Sequence, residues 1–383
     1  MKKICVITGS RAEYGILKNL IKKIDQDKEL ELYLIATGMH LSPEFGLTYK
    51  EIEKDFNIDK KIEMLLSSDT AVGISKSMGL AQISFSEVFN ELQPDLIIVL
   101  GDRYEIFAAA SAAMIANIPI AHIHGGETTQ GAFDEAIRHS ITKMSHLHFT
   151  STQEYKNRVI QLGENPNRVF NVGALGVENI KNVQLLSKEE LEESINFRLG
   201  VKNLIVTFHP ATLENSTAQQ QFQELLNAID ELENTNIIFT KANSDKDGRI
   251  INKMIDDYTS QNKNNTIAFT SLGQLRYFST LQFIDAVVGN SSSGIIEAPT
   301  FKIATINIGD RQKGRITANS VIDTPAIKKH ILDSIYKVYS QEFKDNLRII
   351  SNPYETSNTA DSIVKTIKDT NFTNITKKSF WDL

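Results

Sequence analysis

At 383 residues, the chain is too long for a single core of ordinary size and long enough for two domains. Its formal net charge of -6, from 41 Lys and Arg against 47 Asp and Glu, argues against a broad binding surface for nucleic acid or an anionic membrane. The single cysteine, Cys5, excludes an internal disulfide, and no apolar run approaches the ~20 residues that cross a bilayer, so we predict a cytoplasmic protein.

Short apolar runs alternate along the chain with amphipathic segments, a pattern typical of parallel sheets covered by helices on both faces. In the first half, the predicted strands are Ile4–Thr8, Leu30–Thr37, Leu96–Leu100, Ile118–His122 and His146–Thr150. The helices predicted between them are Tyr14–Ile24, Ile74–Leu92 and Glu105–Ala116. After Val169–Val172 and a charged helix at Ser187–Glu193, a second series of strands comprises Leu204–Phe208, Asn236–Thr240, Thr266–Thr270, Ala286–Gly289 and Ala304–Ile308.

The change in composition near residues 175–185 predicts a domain boundary. We therefore expect one Rossmann-like domain over residues 1–178 and a second over residues 179–365. Residues 366–383 are expected either to form a tail or to pack back on the first domain. Two doubly wound domains in series usually bind ligands in the cleft between them, at the carboxyl ends of the strands, and the unusual residues of this chain follow predicted strands.

The turn after the first strand, TGSRAEYG at residues 8–15, contains neither a dinucleotide-binding fingerprint nor a P-loop. A Gly-Ser turn that opens a helix can still present backbone N–H groups to a phosphate, and Arg11 would add charge. The alternative is an ordinary strand-to-helix turn with a solvated arginine.

Two charged residues, Asp102 and Arg103, follow Gly101 at the end of the apolar strand Leu96–Leu100. A carboxylate and a guanidinium at this position are suited to proton transfer and to contact with an anion. The alternative is that Asp102 caps the N-terminus of the next helix.

The next strand ends in HIHGGE at residues 122–127. His122 and His124 would share a face, as metal ligands can, but a third convincing ligand is missing because Asp102 and Glu127 are assigned more economically to proton transfer. We therefore predict no metal at this position. For each histidine, the alternative is a buried side chain with satisfied hydrogen bonds.

Asp134 and Arg138 are four residues apart at the start of the following amphipathic helix and therefore share one face. Such a pair is usually an exposed salt bridge. Its place shortly after the HIHGGE turn raises the alternative of a carboxylate held by an arginine at the mouth of the cleft.

In the second half, Pro210 ends a strand and fixes the direction of His209. The turn GNSSSG at residues 289–294 offers hydroxyls, backbone N–H groups and a helix dipole, which suit a diphosphate, although serine caps would explain part of it. Glu297 could accept two ribose hydroxyls. The stretch GDRQKGR at residues 309–315 brings three cations together, either as a phosphate clamp or as a solvated basic loop.

Taken together, the motifs TGSRAEY, GDRYE, HIHGGE, FDEAIRH, FHP, GNSSSG and GDRQKGR resemble, in this order, the hydrolysing UDP-N-acetylglucosamine 2-epimerases of sialic acid biosynthesis. The match runs from residue 4 to about residue 325. It implies a glycosyltransferase-B-type α/β fold of two Rossmann-like, doubly wound domains with an inter-domain cleft. The first domain would hold the sugar and the second UDP, without metal or nicotinamide.

The resemblance also implies roles for individual residues. The predicted catalytic set is Asp102, His124, Glu127, Asp134, Arg138 and His209, with His209 near the diphosphate. The predicted substrate-binding and UDP-binding set is Arg11, Ala12, His40, Arg103, His122, Asn243, Ser271, Asn290, Ser291, Ser292, Glu297 and Arg311. The expected partner is a small-molecule nucleotide sugar, with neither nucleic acid nor membrane, and the family implies a homodimer or homotetramer.

One position departs from the family. Several members have Glu where this chain has His124, so its task would pass to His124, Glu127 or Asp134. The implied reaction releases UDP and N-acetylmannosamine from UDP-N-acetylglucosamine by elimination to 2-acetamidoglucal and rehydration. The inversion at carbon 2 requires two proton carriers on opposite faces of the sugar.

Other functions fit the same motifs. Relatives that act on a UDP-2,4-diacetamido-2,4,6-trideoxyhexose, on the way to legionaminic acid, share much of this pattern. A glycosyltransferase of the same fold class, a non-hydrolysing epimerase and a nucleotide-sugar-binding regulator without turnover are further alternatives.

Overall fold

The computed structural model describes residues 1–68, 70–130, 132–211, 218–243 and 247–382. The chain divides into two compact units. Unit 1 comprises Met1–Glu127, Asp134–Asn179 and Thr356–Leu383, and unit 2 comprises Thr128–Phe133 and Ile180–Glu355. Each unit is a parallel sheet with helices.

The sheet of unit 1 has seven strands among the described residues, in the order β3-β2-β1-β4-β5-β6-β7, and all neighbours pair in parallel. The strands are β1 (Lys2–Thr8), β2 (Leu30–Thr37), β3 (Lys60–Ile62), β4 (Leu96–Leu100), β5 (Ile120–Ile123), β6 (Leu147–Thr150) and β7 (Val169–Asn171). The strand order reverses between β1 and β4, which is where doubly wound sheets bind their ligands.

The helices of unit 1 connect these strands. They are α1 (Arg11–Gln26), α2 (Tyr49–Ile52), α3 (Ala71–Leu92), α4 (Tyr104–Ile115), α5 (Asp134–Met144) and α6 (Gln153–Gln161), together with α15 (Thr359–Asp369) near the end of the chain. Two hydrophobic clusters lie on the two faces of the sheet, because β1 contributes Ile4 and Val6 to one and Cys5 and Ile7 to the other. The helix α7 (Leu175–Asn182) carries the chain into unit 2.

Unit 2 repeats the same architecture. Its six described strands follow the order β10-β9-β8-β11-β12-β13, all in parallel. They are β8 (Lys202–Thr207), β9 (Thr235–Thr240), β10 (Thr266–Phe269), β11 (Ala286–Gly289), β12 (Ala304–Ile308) and β13 (Val321–Thr324). The helices are α8 (Lys188–Ile195), α9 (Ala218–Ile229), α10 (Gly248–Gln261), α11 (Gly273–Leu281), α12 (Ser292–Ile296), α13 (Lys328–Val338) and α14 (Gln341–Ile349). Here the order reverses between β8 and β11.

The predicted strands and helices are confirmed, with end points that differ by a few residues. Two short edge strands, β3 and β13, were not predicted. Each has only three or four residues, and polar side chains such as Lys60, Lys61 and Asp323 interrupt the apolar run that would mark a strand.

The last part of the chain packs within unit 1. The helix α15 begins before the predicted segment 366–383 and ends within it at Asp369, and α15 buries Ile363 and Ile367 in the same cluster as Ile21 and Ile24 of α1. The unit boundary therefore falls at Thr356, and the six residues Thr128–Phe133 also change unit.

Candidate functional site

In both units, most of the predicted site residues follow the carboxyl ends of parallel strands. In unit 1, Arg11 and Ala12 follow β1, His40 follows β2, Asp102 and Arg103 follow β4, and His124 and Glu127 follow β5. In unit 2, His209 follows β8, Asn243 follows β9 and Ser271 follows β10. Asn290, Ser291 and Ser292 follow β11, and Arg311 follows β12. The parallel arrangement brings each group to one edge of its sheet.

The turn after β1 covers two buried carboxyl groups, Glu13 and Glu105. Glu13 Oε2 accepts a hydrogen bond from Gly9 N at 2.6 Å. A Cβ atom on Gly9 would lie 2.5 Å from Glu105 Cγ, so only glycine leaves room for the Glu105 side chain. Burial, and then the charge of Glu105, raise the pKa of Glu13 to about 8.

Glu105 in turn holds Arg103, whose Nε donates to Glu105 Oε1 at 2.6 Å. The two side chains are 1% and 11% exposed, so the ion pair is well shielded from water. The sequence analysis assigned no role to Glu13 or Glu105. Both lie in the first turn of a helix, where acidic residues are common for reasons of helix stability alone.

A second charged cluster joins Asp102, His124, Glu127 and Arg138. Arg138 is 2% exposed, donates from Nη1 to His124 O at 2.9 Å and forms an ion pair with Asp102 through Nη2. Glu127 Oε2 lies 3.9 Å from Arg138 Nη1. The interpretation of Arg138 as part of an exposed salt bridge is therefore wrong.

His124 has an unusual backbone conformation and a defined ring contact. Its φ is +63°, in the left-handed region that few residues other than glycine and asparagine adopt readily. Its Nδ1 lies 3.3 Å from Glu127 Oε1, and that same oxygen accepts from Ser151 Oγ at 2.7 Å. Glu127 is 1% exposed, so its carboxylate is placed to orient the His124 ring.

Two predicted binding residues, His40 and His122, are completely buried. His40 Nδ1 pairs with Thr48 Oγ1 at 2.8 Å, and its Nε2 pairs with Thr8 Oγ1 at 3.1 Å. Burial lowers the pKa of His40 to about 4, so the ring is neutral at pH 7. Both nitrogens of His40 therefore have partners within the fold.

His122 shows the same pattern. Its Nε2 pairs with Gly101 O at 2.8 Å and its Nδ1 pairs with Thr142 Oγ1 at 3.1 Å. Burial lowers the pKa of His122 to about 3. His122 therefore joins the end of β4 to α5, and its buried alternative also fits.

Three further predicted residues of unit 1 lie nearer to the surface. Arg11 Nη2 pairs with Glu51 at 2.7 Å, and Ala12 is exposed. Asp134 is the first residue of α5 and is partly exposed, as is Asp102, whose side chain is 18% exposed. Arg103, not Asp102, occupies the N-cap position of α4, and its side chain makes no cap hydrogen bond.

In unit 2, His209 and Asn290 connect the two strands at which the order reverses. Asn290 Oδ1 accepts from His209 N at 2.7 Å, and Asn290 Nδ2 donates to His209 O at 2.8 Å. This mutual pair fixes the ends of β8 and β11 at adjacent positions. The structure thus brings two predicted site residues into direct contact.

The serine turn combines a helix cap with partly exposed hydroxyls. Ser291 is the N-cap of α12, and its side chain accepts from Ser293 N at 3.3 Å, so the capping alternative accounts for this residue. Ser292 is partly exposed. Glu297 is 7% exposed. The pKa of Tyr277 is raised, first by the burial of Tyr277 and then by the negative charge of Glu297.

The remaining predicted residues of unit 2 follow β9, β10 and β12. Asn243 and Ser271 are partly exposed, and Ser271 Oγ accepts from Gly273 N at 3.3 Å. Arg311 Nη1 and Gln312 Nε2 both donate to Asn290 O, at 3.0 and 2.8 Å. Gln312, which the sequence did not single out, therefore supports the same turn as Arg311.

Within the described ranges, no group of three or more His, Cys, Asp or Glu side chains could hold a metal ion. A helix long and apolar enough to cross a bilayer is likewise absent from the part of the chain that the structure describes.

The comparison with protein families gives a match that extends over most of the chain. A model of the UDP-N-acetylglucosamine 2-epimerase family matches residues 22–368. The chain belongs to this family. The family and the class of enzyme predicted from the sequence, a hydrolysing UDP-N-acetylhexosamine 2-epimerase, are thus confirmed.

Two relatives are similar over nearly their whole length. The chain is 46% identical over 384 residues to the GDP/UDP-N,N'-diacetylbacillosamine 2-epimerase (hydrolyzing) of Campylobacter jejuni. This alignment covers 100% of this chain and 99% of the relative. It is 44% identical over 374 residues to the polysialic acid biosynthesis protein P7 of Escherichia coli, with coverage of 96% and 94%.

A solved structure shares the fold at low identity. The crystal structure of UDP-GlcNAc 2-epimerase from Neisseria meningitidis bound to UDP-GlcNAc matches with a TM-score of 0.79 and 18% identity, covering 97% of this chain and 100% of that one. Together with the two parallel sheets, this match confirms the predicted glycosyltransferase-B-type α/β fold class.

Proposed function

We propose that this family member hydrolyses and epimerises a UDP-2,4-diacetamido-2,4,6-trideoxyhexose of the N,N'-diacetylbacillosamine type. The observation that carries the proposal is the 46% identity, over the full chain, to a hydrolysing 2-epimerase named for that sugar. The sequence analysis gave UDP-N-acetylglucosamine as the first choice and this sugar as the alternative. The relatives favour the alternative.

UDP-N-acetylglucosamine is the second candidate substrate. It is supported by the 44% identity to a protein of polysialic acid biosynthesis and by the family to which the chain belongs. The two sugars share the N-acetyl group at carbon 2 and differ at carbons 4 and 6. The proposed chemistry at carbons 1 and 2 is therefore the same for both.

The diphosphate is proposed to bind at the edge of unit 2 formed by His209, Asn290, the serine turn and Arg311. Backbone N–H groups at the start of α12 and the guanidinium of Arg311 supply donors for phosphate oxygens. Glu297, near the end of α12, would accept ribose hydroxyls. Arg103 and Arg11, which belong to the UDP-binding set predicted from the sequence, remain further cations proposed to stabilise departing UDP.

The reaction is proposed to begin with elimination. A base removes the proton from carbon 2, the C1–O bond breaks, and UDP leaves with the bonding electron pair, which gives a 2-acetamidoglycal. Water then adds its hydroxyl to carbon 1 while an acid protonates carbon 2 from the opposite face. Neither step changes the overall oxidation state of the sugar, so the chemistry requires no redox cofactor.

Asp102 and His124 are the proposed proton carriers. Asp102 is partly exposed at the end of β4 and forms an ion pair with Arg138. His124 carries a ring that Glu127 orients, much as a carboxylate orients a general-base imidazole. Because Glu127 is buried, we assign it to positioning, whereas Asp134 at the start of α5 remains a candidate acid.

The experiment that tests the substrate incubates the purified full chain with each nucleotide sugar in turn and identifies the freed monosaccharide and UDP. We expect kcat/KM to be at least about tenfold higher for the diacetamido sugar, a ratio within the reach of a few pocket contacts. The reverse preference would establish the second candidate, and release of UDP from neither would refute the function.

Two further measurements test the mechanism. In deuterated water, carbon 2 of the product should carry deuterium, and its absence would exclude the elimination route. The Asp102→Asn variant should lose at least about 100-fold in kcat while it retains UDP binding. Light scattering would test the expected homodimer or homotetramer.

A further inference from the structure

Six residues of unit 2 are inserted between two predicted catalytic residues of unit 1. The segment Thr128–Phe133 belongs to unit 2, whereas Glu127 before it and Asp134 after it belong to unit 1. Each end of the segment is joined to a site residue by a peptide bond. Whatever fixes the segment therefore restricts where the backbones of Glu127 and Asp134 can lie.

The C-terminal end of the basic loop Gly309–Arg315 holds this segment. Arg315 Nε donates to Thr128 O at 2.8 Å. Gly314 has a φ of +82°, and a Cβ atom on it would lie 2.7 Å from Gln130 Nε2 and 3.3 Å from Thr128 Oγ1. Two consecutive residues of the loop are thus fitted to the backbone and side chains of residues 128–130.

The other end of the same loop is attached to the proposed diphosphate site. Arg311 and Gln312 both donate to Asn290 O, and Asn290 is paired with His209. Hydrogen bonds and a seven-residue loop therefore connect His209 with Thr128. One short loop contacts both the residues proposed to hold the leaving group and the segment that adjoins Glu127.

We propose that Arg315 is a positioning residue that holds the backbone of Thr128 in place. Through this contact, UDP binding at the loop Gly309–Arg315 positions Glu127, and with it His124, for proton transfer. This inference rests on the proposed function. It differs, for Arg315, from both interpretations that the sequence left open for this loop, a phosphate clamp formed with Arg311 and Lys313 or a solvated basic loop. Arg311 donates to the carbonyl of Asn290 within the proposed diphosphate site, whereas Arg315 Nε donates to the carbonyl of Thr128, next to Glu127, and this difference in partner is the observation that assigns Arg315 to positioning.

The two roles predict different kinetics. A phosphate clamp contributes to UDP binding in the ground state, so its loss weakens UDP affinity and substrate affinity together. A positioning residue acts on the arrangement of the proton carriers, so its loss lowers kcat and leaves UDP affinity nearly unchanged.

The test compares Arg315→Ala with the wild-type chain and with Arg348→Ala, which removes an exposed arginine from α14 as a matched control. We expect Arg315→Ala to lower kcat about 10- to 100-fold, the loss typical of one charge-assisted hydrogen bond, while the UDP dissociation constant measured by calorimetry changes less than about threefold. Arg315→Lys, which keeps one donor, should recover part of the rate. The control should match the wild type in both quantities.

Gly314→Ala provides an independent variant because it disturbs the same contact from the neighbouring residue. It should lower kcat with little effect on UDP affinity, and a thermal melt would verify that the variant is folded. If Arg315→Ala weakens UDP binding by the same factor as it lowers kcat, or leaves kcat unchanged, the inference is wrong.

A measurement without turnover separates this inference from the proposed substrate. Hydrogen exchange of peptides that cover residues 124–130 should slow when UDP is added to the wild type and should respond much less in Arg315→Ala. Equal protection in both proteins, or none in the wild type, would overturn the inference. Lack of turnover with either sugar would instead refute the proposed function and leave this comparison decisive.

Discussion

Arg103 and Glu105 form a buried ion pair beside the first turn of unit 1, in which Arg103 Nε donates to Glu105 Oε1 at 2.6 Å. The Glu105 carboxylate occupies the space that a side chain on Gly9 would need. Because the carboxylate cannot move toward Gly9, the Arg103 guanidinium is held in one direction at the end of β4. A residue that looks like an ordinary helix-start glutamate therefore fixes a cation of the proposed UDP site.

Glu105→Gln should weaken UDP binding because the amide cannot balance the charge of Arg103. We expect the UDP dissociation constant, measured by calorimetry, to rise about tenfold, since breaking a buried ion pair from one side leaves the other charge uncompensated. Glu87→Gln, an exposed position on α3, serves as the control and should not change it. A lower melting temperature with unchanged UDP affinity would show that Glu105 only stabilises the fold.

Glu13 makes the stability of the chain depend on pH. Burial and the charge of Glu105 raise its pKa to about 8, above the ~4.3 of glutamate in an unfolded chain. Between these values the folded state binds more protons than the unfolded state, so stability decreases as the pH rises, by at most about 1.4 kcal/mol per pH unit.

Glu13→Gln should remove this dependence, because the amide is neutral at every pH and can still accept the hydrogen bond from Gly9 N. We therefore expect the melting temperature of the variant, relative to the wild type, to be higher at pH 8.5 than at pH 5. Glu87→Gln should show no such trend. A difference between Glu13→Gln and the wild type that is the same at both pH values would contradict the raised pKa.

The sequence predicted the elements of the fold because a parallel strand buried on both faces needs a continuous apolar run, as in Leu96–Leu100. It also predicted that charged residues such as Asp102 and His209 would lie at the carboxyl ends of strands, since that placement depends only on the strand boundaries. These local patterns are visible without any knowledge of which strands are neighbours.

Contacts between distant residues were not predictable from such patterns. The roles of Glu13 and Glu105 depend on β1 and β4 being adjacent in the sheet. A glutamate in the first turn of a helix does not indicate which strands are neighbours. Likewise, Arg315 and Thr128 are 187 positions apart, so the loop alone indicated only positive charge. The GDRYE and TGSRAEY motifs did contain both glutamates, and that was the available signal.

His124→Asn should separate the chemistry of the imidazole from its structural role. Asparagine tolerates the left-handed backbone at φ +63° better than most residues, so the variant should fold and melt within a few degrees of the wild type. It lacks a proton carrier, so we expect kcat to fall at least about 100-fold with UDP affinity retained. His330→Asn, an exposed histidine on α13, is the control, and a variant with nearly full activity would exclude His124 from proton transfer.

The C-terminal segment of the chain is fastened to unit 1 through the buried carboxylate of Glu164. Lys378 Nζ donates to Glu164 Oε2 at 2.8 Å and to Ser145 O at 2.7 Å, and Lys143 Nζ reaches Glu164 Oε1 at 2.6 Å. A few residues on, Trp381 N donates to Gly163 O. Trp381 is the single tryptophan of the chain and is 40% exposed, so release of the segment would expose the rest of its side chain and change its fluorescence.

Lys378→Met should release the segment, because it removes the cation that spans Glu164 and Ser145 while it keeps a side chain of similar length. We expect the Trp381 emission to shift to longer wavelength and its quenching by acrylamide to increase, and we expect a stability loss of ~1–3 kcal/mol. Lys377→Met changes the adjacent, exposed lysine and should leave both signals as in the wild type. Equal fluorescence in the two variants would exclude Lys378 as the fastening residue.

Acid should release the segment in the wild type for the same reason. Burial by itself would raise the pKa of Glu164, but the hydrogen bond from His148 and those from Lys143 and Lys378 lower it to about 2. The contribution of this carboxylate to stability is therefore fully present above the ~4.3 of an unfolded glutamate and is lost as the pH falls from there toward 2. The Trp381 signal of the wild type should thus approach that of Lys378→Met between these two pH values. If the segment is released independently of the sheets, this change should precede any change in the far-ultraviolet circular dichroism. A fluorescence change that begins above pH 6 would contradict the lowered pKa, because the carboxylate remains ionised there.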